Sequence, residues 1–321
     1  MLEASPRSDR ERPIVARGRV ARTDRTFRAL CLGCGLLVLL ILGLIAVSMT
    51  RKAWPAFHHD GLKFFTSMRW APNIEKFGSL AFVYGTLVTA VIALVMAVPV
   101  SVGIALFLSD VAPRLLRGPV GSLVDLLAAV PSVVYGLWGV LVFAPWISHV
   151  YAWISRVTRP IPILSALFEG PSTGRGLFTA GIILALMITP IITSITKEVF
   201  DTVPREQKEA AYAMGATRWE MIRAAVFPHS RAGMVGAVML GLGRAMGETI
   251  AAALVIGSSP QISAHLFRSG DSMAAVIANQ FGEAGALHSS ALIALGVELF
   301  ALTIVVNVFA RAIVGRGLRK A

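Results

Sequence analysis

The sequence predicts an all-α polytopic membrane protein with six transmembrane helices, and three observations carry that prediction. Of 321 residues, 55% are hydrophobic and 15% charged, with a mean hydropathy of +0.71. Soluble globular chains carry about 25% charged residues. The apolar residues are gathered into runs, several of them near the ~20 residues that cross a bilayer. Finally, Lys and Arg segregate. The N-terminal tail, 109–119, 197–231 and 311–321 hold 20 of them, against nine in 51–76, 148–176 and 257–288. Such an excess marks the cytoplasmic side, which places both termini there.

Residues 1–28 form a basic cytoplasmic tail in which eight Arg mix with Pro, Ser, Asp and Glu, a composition too polar to build a core. Residues 29–76 hold the first transmembrane helix, over 31–50, and an external loop. The apolar run is longer than that of a secretory signal and lacks its small-residue cleavage site. Residues 77–312 form the core. The second span is expected at 78–108, with Pro99 as a kink point. The third is expected at 120–147, interrupted by Pro131, Gly136 and Gly139 and anchored by Tyr135, Trp138 and Trp146. The fourth covers 177–197, the fifth 232–256 and the sixth 289–311. Residues 313–321 are a second cytoplasmic tail. Between spans, 148–176 reads as an interfacial or re-entrant segment and QISAHLF, 261–267, as a short helix.

The formal charge of +12 raises nucleic-acid binding, but the arginines flank apolar runs, the pattern of membrane anchoring. Cys31 and Cys34 are the only cysteines; they are too few for a four-ligand zinc site and read as small apolar residues. The six histidines do not cluster at metal-ligand spacing, and no nucleophile with a base and an orienting group assembles. GLGRAMG is not a dinucleotide fingerprint, and no G-x-x-x-x-G-K-[ST] loop occurs. No catalytic site is expected in this chain, and any ATP hydrolysis would fall to a separate one.

Residues 198–228 are too polar to span and rich in helix formers. Asp201 or Thr202 is the expected cap of a helix over 203–213, with Pro204 in its first turn. Gly215 ends that helix. Thr217, with Glu220 three residues on, caps a second that runs to Val226 and stops at Pro228. Ala210, Ala211, Ala213, Met214 and Ala216 leave little side-chain bulk, so a partner's backbone can approach closely. A pair of amphipathic helices lying on the membrane is the alternative.

Glu209-Ala210-Ala211, three residues, Gly215 and then Pro228 resemble the coupling loop of ABC-transporter permease subunits. Ala225 and Phe227 stand where the family usually has Ile and Leu, and both positions stay apolar. SLAFVYGTLVTAVIALVMAVPVSVGIALFL, LLAAVPSVVYGLWG and GLGRAMGETIAAALVIG, in that order, resemble the phosphate-specific (PstC-like) branch of that family. The resemblance covers roughly residues 29–312. It implies the type I ABC importer permease fold, in a bacterial plasma (inner) membrane. It implies a transmembrane permease subunit of an ATP-driven phosphate importer, forming half of the translocation path. The implied partners are a sister permease subunit (PstA-like), two ATPase subunits (PstB-like) and an external phosphate-binding protein (PstS-like). No cofactor is then bound by this chain; ATP and Mg belong to the partner ATPase. Glu209, Ala210, Ala211, Gly215, Phe227 and Pro228 are the implied ATPase coupling residues.

Arg244 and Glu248 lie inside the fifth apolar run. An unpaired charge at mid-membrane costs about 2.5–3.5 kcal/mol, and an i,i+4 pair on one helix face lowers that cost. Either the pair locks helix packing, with Gly243 and Gly247 admitting a neighbour, or Arg244 lines a wet path and offers its planar fork of donors to an oxyanion. The resemblance implies the second. Glu298, in the sixth span, faces the path or bonds to a neighbour, and Asp125 has Arg114, Arg117 and Arg244 as candidate partners. Two other function classes stay open: a permease for another oxyanion such as molybdate or sulfate, and an ATPase-independent anion channel or membrane scaffold.

Overall fold

A backbone in lipid has no water to bond to, so long apolar runs close their hydrogen bonds internally as helices. The computed structural model describes residues 19–161, 165, 167–168 and 173–318. Most of the 1–28 tail, part of the 148–176 segment and the last three residues lie outside these.

The helices, in chain order, are α1 (Arg19–Asp60), α2 (Lys63–Thr66), α3 (Leu80–Leu106), α4 (Arg114–Ala129), α5 (Ser132–Trp138), α6 (Ala144–Thr158), α7 (Leu177–Asp201), α8 (Arg205–Ala213), α9 (Arg218–Met221), α10 (Phe227–Gly247), α11 (Ile250–Val255), α12 (Met273–Gln280) and α13 (Ala286–Leu318). Three π-helical turns, Phe107–Val111, Gly139–Phe143 and Ile222–Val226, carry the helix on from α3, α5 and α9. The described residues contain no strand beyond an isolated bridge between Ala71 and Lys76. Among the described residues, five stretches are long and apolar enough to cross a membrane: Asp24–Asp60, Leu80–Val111, Ser132–Thr158, Leu177–Asp201 and Ala286–Ala312. The sixth, α10, has 21 residues, about 32 Å at 1.5 Å per residue, but is diluted by Pro228, His229, Ser230, Arg231 and Arg244.

The chain forms two compact units, Met1–Ser48 and Met49–Ala321. In the first, α1 turns a nearly continuous apolar surface outward, including Leu32, Leu36, Leu39 and Leu40, with Cys31 and Cys34 free and exposed. In the second, α3 and α7 are the central pair. Ala93 and Ala97 of α3 meet Leu184, Ile188 and Ile192 of α7, and Ala237 and Ala245 of α10 close the cluster. Small residues bring these backbones together, which is how helices gain packing energy in lipid. Gly241 of α10 shows how tight the fit is: a Cβ there would lie 2.7 Å from Ile192 Cδ1.

Four expectations are corrected. The third span does not cover 120–147, because the chain bends at Val130–Pro131 and 120–129 belongs to the separate amphipathic α4. Proline cannot donate to the turn before it, and the residue ahead of it is driven extended. The fifth span is not one helix over 232–256: α10 ends at Gly247 and Glu248 is extended at ψ 123°. The helix start at 205 is not capped by Asp201 or Thr202. Pro204 occupies the cap position and Asp201 is the last residue of α7. QISAHLF is irregular, held by a bond from His265 N to Ser263 Oγ and by Phe267, which stacks on Tyr151 at 3.9 Å.

Candidate functional site

The polar segment 202–228 folds as two short helices. α8 ends in a Schellman motif: Ala216 N–H bonds to Ala211 O and Gly215 N–H to Tyr212 O, with Gly215 at φ +84°. That conformation penalises any residue with a Cβ. Thr217 and Glu220 form the capping box expected of them. Thr217 N–H donates to Glu220 Oε2 at 2.8 Å, and Glu220 N–H donates to Thr217 Oγ1 at 3.4 Å. The Thr217 backbone N–H, and then its hydroxyl, hold the Glu220 carboxyl below its usual pKa. The capped helix does not stop at Pro228. Phe227 N–H reaches back five residues to Ile222 O, and the wide π turn admits the proline ring without a break. Helix therefore runs unbroken from Arg218 to Gly247.

The pair is seated on an apolar cluster of Ala105, Phe200, Val203, Ala211, Met221, Ile222 and Val226, with Phe227 packed against it. Ala211 and Ala225 are thus buried, whereas Glu209, Ala210, Gly215 and Pro228 are exposed. Beside them Tyr212, Met214 and Trp219 are exposed large apolar side chains. Sequence reasoning counted Met214 with the small alanines and passed over Tyr212 and Trp219. Their appearance in an otherwise polar stretch was the available signal, since apolar groups clustered on a surface mark an interaction site.

Arg244 lies in the last turn of α10 and is exposed. Ala232, Gly236 and Leu240, each four residues apart, share that exposed face. The opposite face, Ala237, Gly241, Leu242, Ala245 and Met246, is buried. The expected i,i+4 pair does not form: none of the ion pairs among the described residues involves Arg244 or Glu248. Because the helix ends at Gly247, Glu248 leaves the Arg244 face, and its Oε1 accepts from Ala251 N–H at 3.3 Å, capping α11. Thr249 Oγ1 donates to Gly247 O at 3.3 Å across the same break.

Glu298 is placed elsewhere. Its Oε1 accepts from Ser79 Oγ at 3.0 Å at the start of α3, and its Oε2 is buried with no partner. The carboxylate is engaged by a neighbour, and no bond joins it to Arg244 or Glu248. Asp125 pairs with none of its candidate arginines; it lines a cavity of about 280 Å³ with Arg117, Ser122, Lys197 and Glu198. No group of three or more His, Cys, Asp or Glu among the described residues converges as a metal site.

Residues 101–319 match the family described as binding-protein-dependent transport system inner membrane component. Three relatives named phosphate transport system permease protein PstC resemble the chain over most of its length. That of Mesorhizobium japonicum is 47% identical over 96% of this chain and 95% of its own. That of Haemophilus influenzae is 44% identical over 87% and 89%. PstC 2 of Mycobacterium tuberculosis is 40% identical over 92% of each. Among solved structures, a bacterial ABC transporter involved in the import of the acidic polysaccharide alginate superposes with a TM-score of 0.60 at 17% identity, covering 93% of this chain and 98% of that one. At that identity the likeness shows the fold, the type I permease arrangement of helices. The chain belongs to the family of inner-membrane components of binding-protein-dependent transport systems.

Proposed function

We propose that this chain is the transmembrane permease subunit of an ATP-driven phosphate importer, forming half of the translocation path. Phosphate as substrate follows from relatives named for phosphate transport at 40–47% identity. The observation that carries the mechanism is the placing of Arg244 on an exposed face of a helix continuous with the docking segment. A guanidinium turned to lipid would cost about 2.5–3.5 kcal/mol, so that face belongs against a wet path or a second subunit. The break at Gly247–Thr249 fits the same reading, since irregular backbone at membrane depth is tolerated where it lines a cavity or is covered by protein.

In this mechanism a sister permease subunit completes the path, and an external binding protein delivers phosphate. Tyr212, Met214 and Trp219, with Glu209, Ala210 and Gly215 beside them, dock on a separate ATPase subunit that holds ATP and Mg. Closure of the ATPases displaces α8 and α9. The unbroken helix from Arg218 to Gly247 carries that displacement to Arg244, whose five donors meet the oxyanion bidentately. Glu248, fixed on the α11 side of the break, sets a negative charge near the end of that lever, so the anion passes rather than stays. In this reading the chain lies in the bacterial inner membrane with both termini cytoplasmic, which the excess of Lys and Arg on that side supports.

The test is ATP-dependent uptake of labelled phosphate by the reconstituted complex, with Arg244→Gln beside wild type at equal assembly. The expected result is at least a tenfold loss of uptake in the variant. Normal uptake by the variant makes Arg244 a packing residue. Wild-type uptake of sulfate or molybdate in place of phosphate keeps the permease and replaces its substrate. Uptake that persists without the ATPase subunits points to a channel.

A further inference from the structure

Lys208 of α8 turns away from the exposed docking face. Its Nζ lies 2.6 Å from Asp110 Oδ1, with the two side chains 20% and 9% exposed. Asp110 sits in the π turn Phe107–Val111 that ends the α3 helix. Ser109 Oγ is 3.2 Å from Asp110 Oδ2 and 3.0 Å from Asp201 Oδ1. One hydroxyl proton serves one carboxylate at a time, so Ser109 bridges the two acids by alternation. Asp201, the last residue of α7, takes Lys197 Nζ at 3.0 Å. A chain of cation, acid, hydroxyl, acid and cation thus ties the docking helix to the ends of α3 and α7.

The tie has a mechanical reason. The docking segment is covalently joined to α7 through Thr202–Pro204 and to α10 through the π turn. Lys208 and Asp110 are 98 residues apart in sequence. Without the ion pair, α3 would follow the docking segment only through non-directional contacts of Val102, Ala105 and Leu106. An ion pair shielded from water fixes direction, and removing one partner strands the other charge. We propose that Lys208 and Asp110 are positioning residues that clamp α8 to the end of α3, so that α3, α7 and the docking segment move as one body through the transport cycle. The proposal rests on the coupling role given above.

The experiment uses the reconstituted complex, labelled inorganic phosphate and a parallel ATPase assay, and reads phosphate moved per ATP. Asp110→Asn is expected to lower that ratio at least fivefold with ATP hydrolysis within twofold of wild type. The exchanged pair Asp110→Lys with Lys208→Asp is expected to restore it to within twofold. A second variant stands free of the single ones. In a Cys31→Ser, Cys34→Ser background, Asp110→Cys with Lys208→Cys is bridged by a short bis-methanethiosulfonate linker. Bridging is expected to raise the ratio at least fivefold over the unbridged protein, because the link replaces the clamp. Arrest of transport on bridging would mean that the two positions separate during the cycle, and the clamp falls. An unchanged ratio in Asp110→Asn overturns it as well. If Asp110→Asn does not assemble, the bridged protein decides alone. A wild-type complex that hydrolyses ATP and moves no phosphate sinks the importer reading itself; a wild type that transports beside unaffected variants sinks only the clamp.

Discussion

Asp271 is 3% exposed, just ahead of α12, and its Oδ1 accepts a bond from Ser272 N–H at 2.9 Å. Burial outweighs that bond and pushes its pKa from 3.8 up to about 7. The folded chain therefore holds this proton more tightly than the unfolded chain does. The stability it contributes is full below pH 3.8 and is lost as pH rises toward 7. Asparagine keeps the acceptor and removes the charge. Asp271→Asn is expected to melt higher than wild type at pH 8, with a smaller advantage at pH 5, in detergent-solubilised protein followed by thermal unfolding. Equal differences at the two pH values would show that Asp271 is not buried as a reluctant carboxylate. Arg244 makes the opposite case at the same scale. Its cost is met by where its guanidinium faces, on the exposed side of α10.

Among the elements, the α8–α9 pair depends on one backbone conformation. A residue with a Cβ at Gly215 meets nothing within 4 Å, so substitution there is penalised by φ +84° alone. The left-handed conformation costs about 1–2 kcal/mol for an ordinary residue and less for Asn, which visits it more readily. Gly215→Ala should loosen the α8–α9 turn and Gly215→Val more so, with Gly215→Asn between glycine and alanine. Amide exchange of residues 205–221 reads that order directly, and equal protection in all four proteins would mean that the turn is held by its neighbours. This turn was legible in the sequence because helix ends have local rules: Gly past the last residue, Thr and Glu around a cap. The continuation through Pro228 was not. A proline reads as a stop, and only the extra residue of a π turn lets helix pass it. The break at Glu248 was hidden for the converse reason: an apolar run with an i,i+4 charge pair is indistinguishable from an unbroken helix until Glu248 is seen capping α11. The Lys208–Asp110 pair was out of reach, because no periodicity links residues that meet only through the packing of α3 and α7.

For the whole molecule, the question left to α10 is which way the chain faces. The other five spans announce themselves by length and apolarity. α10 does not, and the side on which everything after it emerges depends on its crossing. Its 21 residues reach about 32 Å, enough for a hydrocarbon core of about 30 Å. Its buried face packs on α7 at the centre of the core, and His229, Ser230 and Arg231 are confined to its first turns, leaving Arg244 as the one charge further along it. The excess of Lys and Arg in 197–231 predicts that its first end lies inside. Ala213 and Glu283 are both exposed and lie on either side of it. In the Cys31→Ser, Cys34→Ser background, Ala213→Cys should react with a membrane-impermeant maleimide only from the cytoplasmic side and Glu283→Cys only from outside, measured on oriented vesicles of each sense. Labelling of both from one side would leave α10 uncrossed and carry the C-terminal tail outside. It would also move Arg244 out of the bilayer, and with it the reason for reading its exposed face as part of a path.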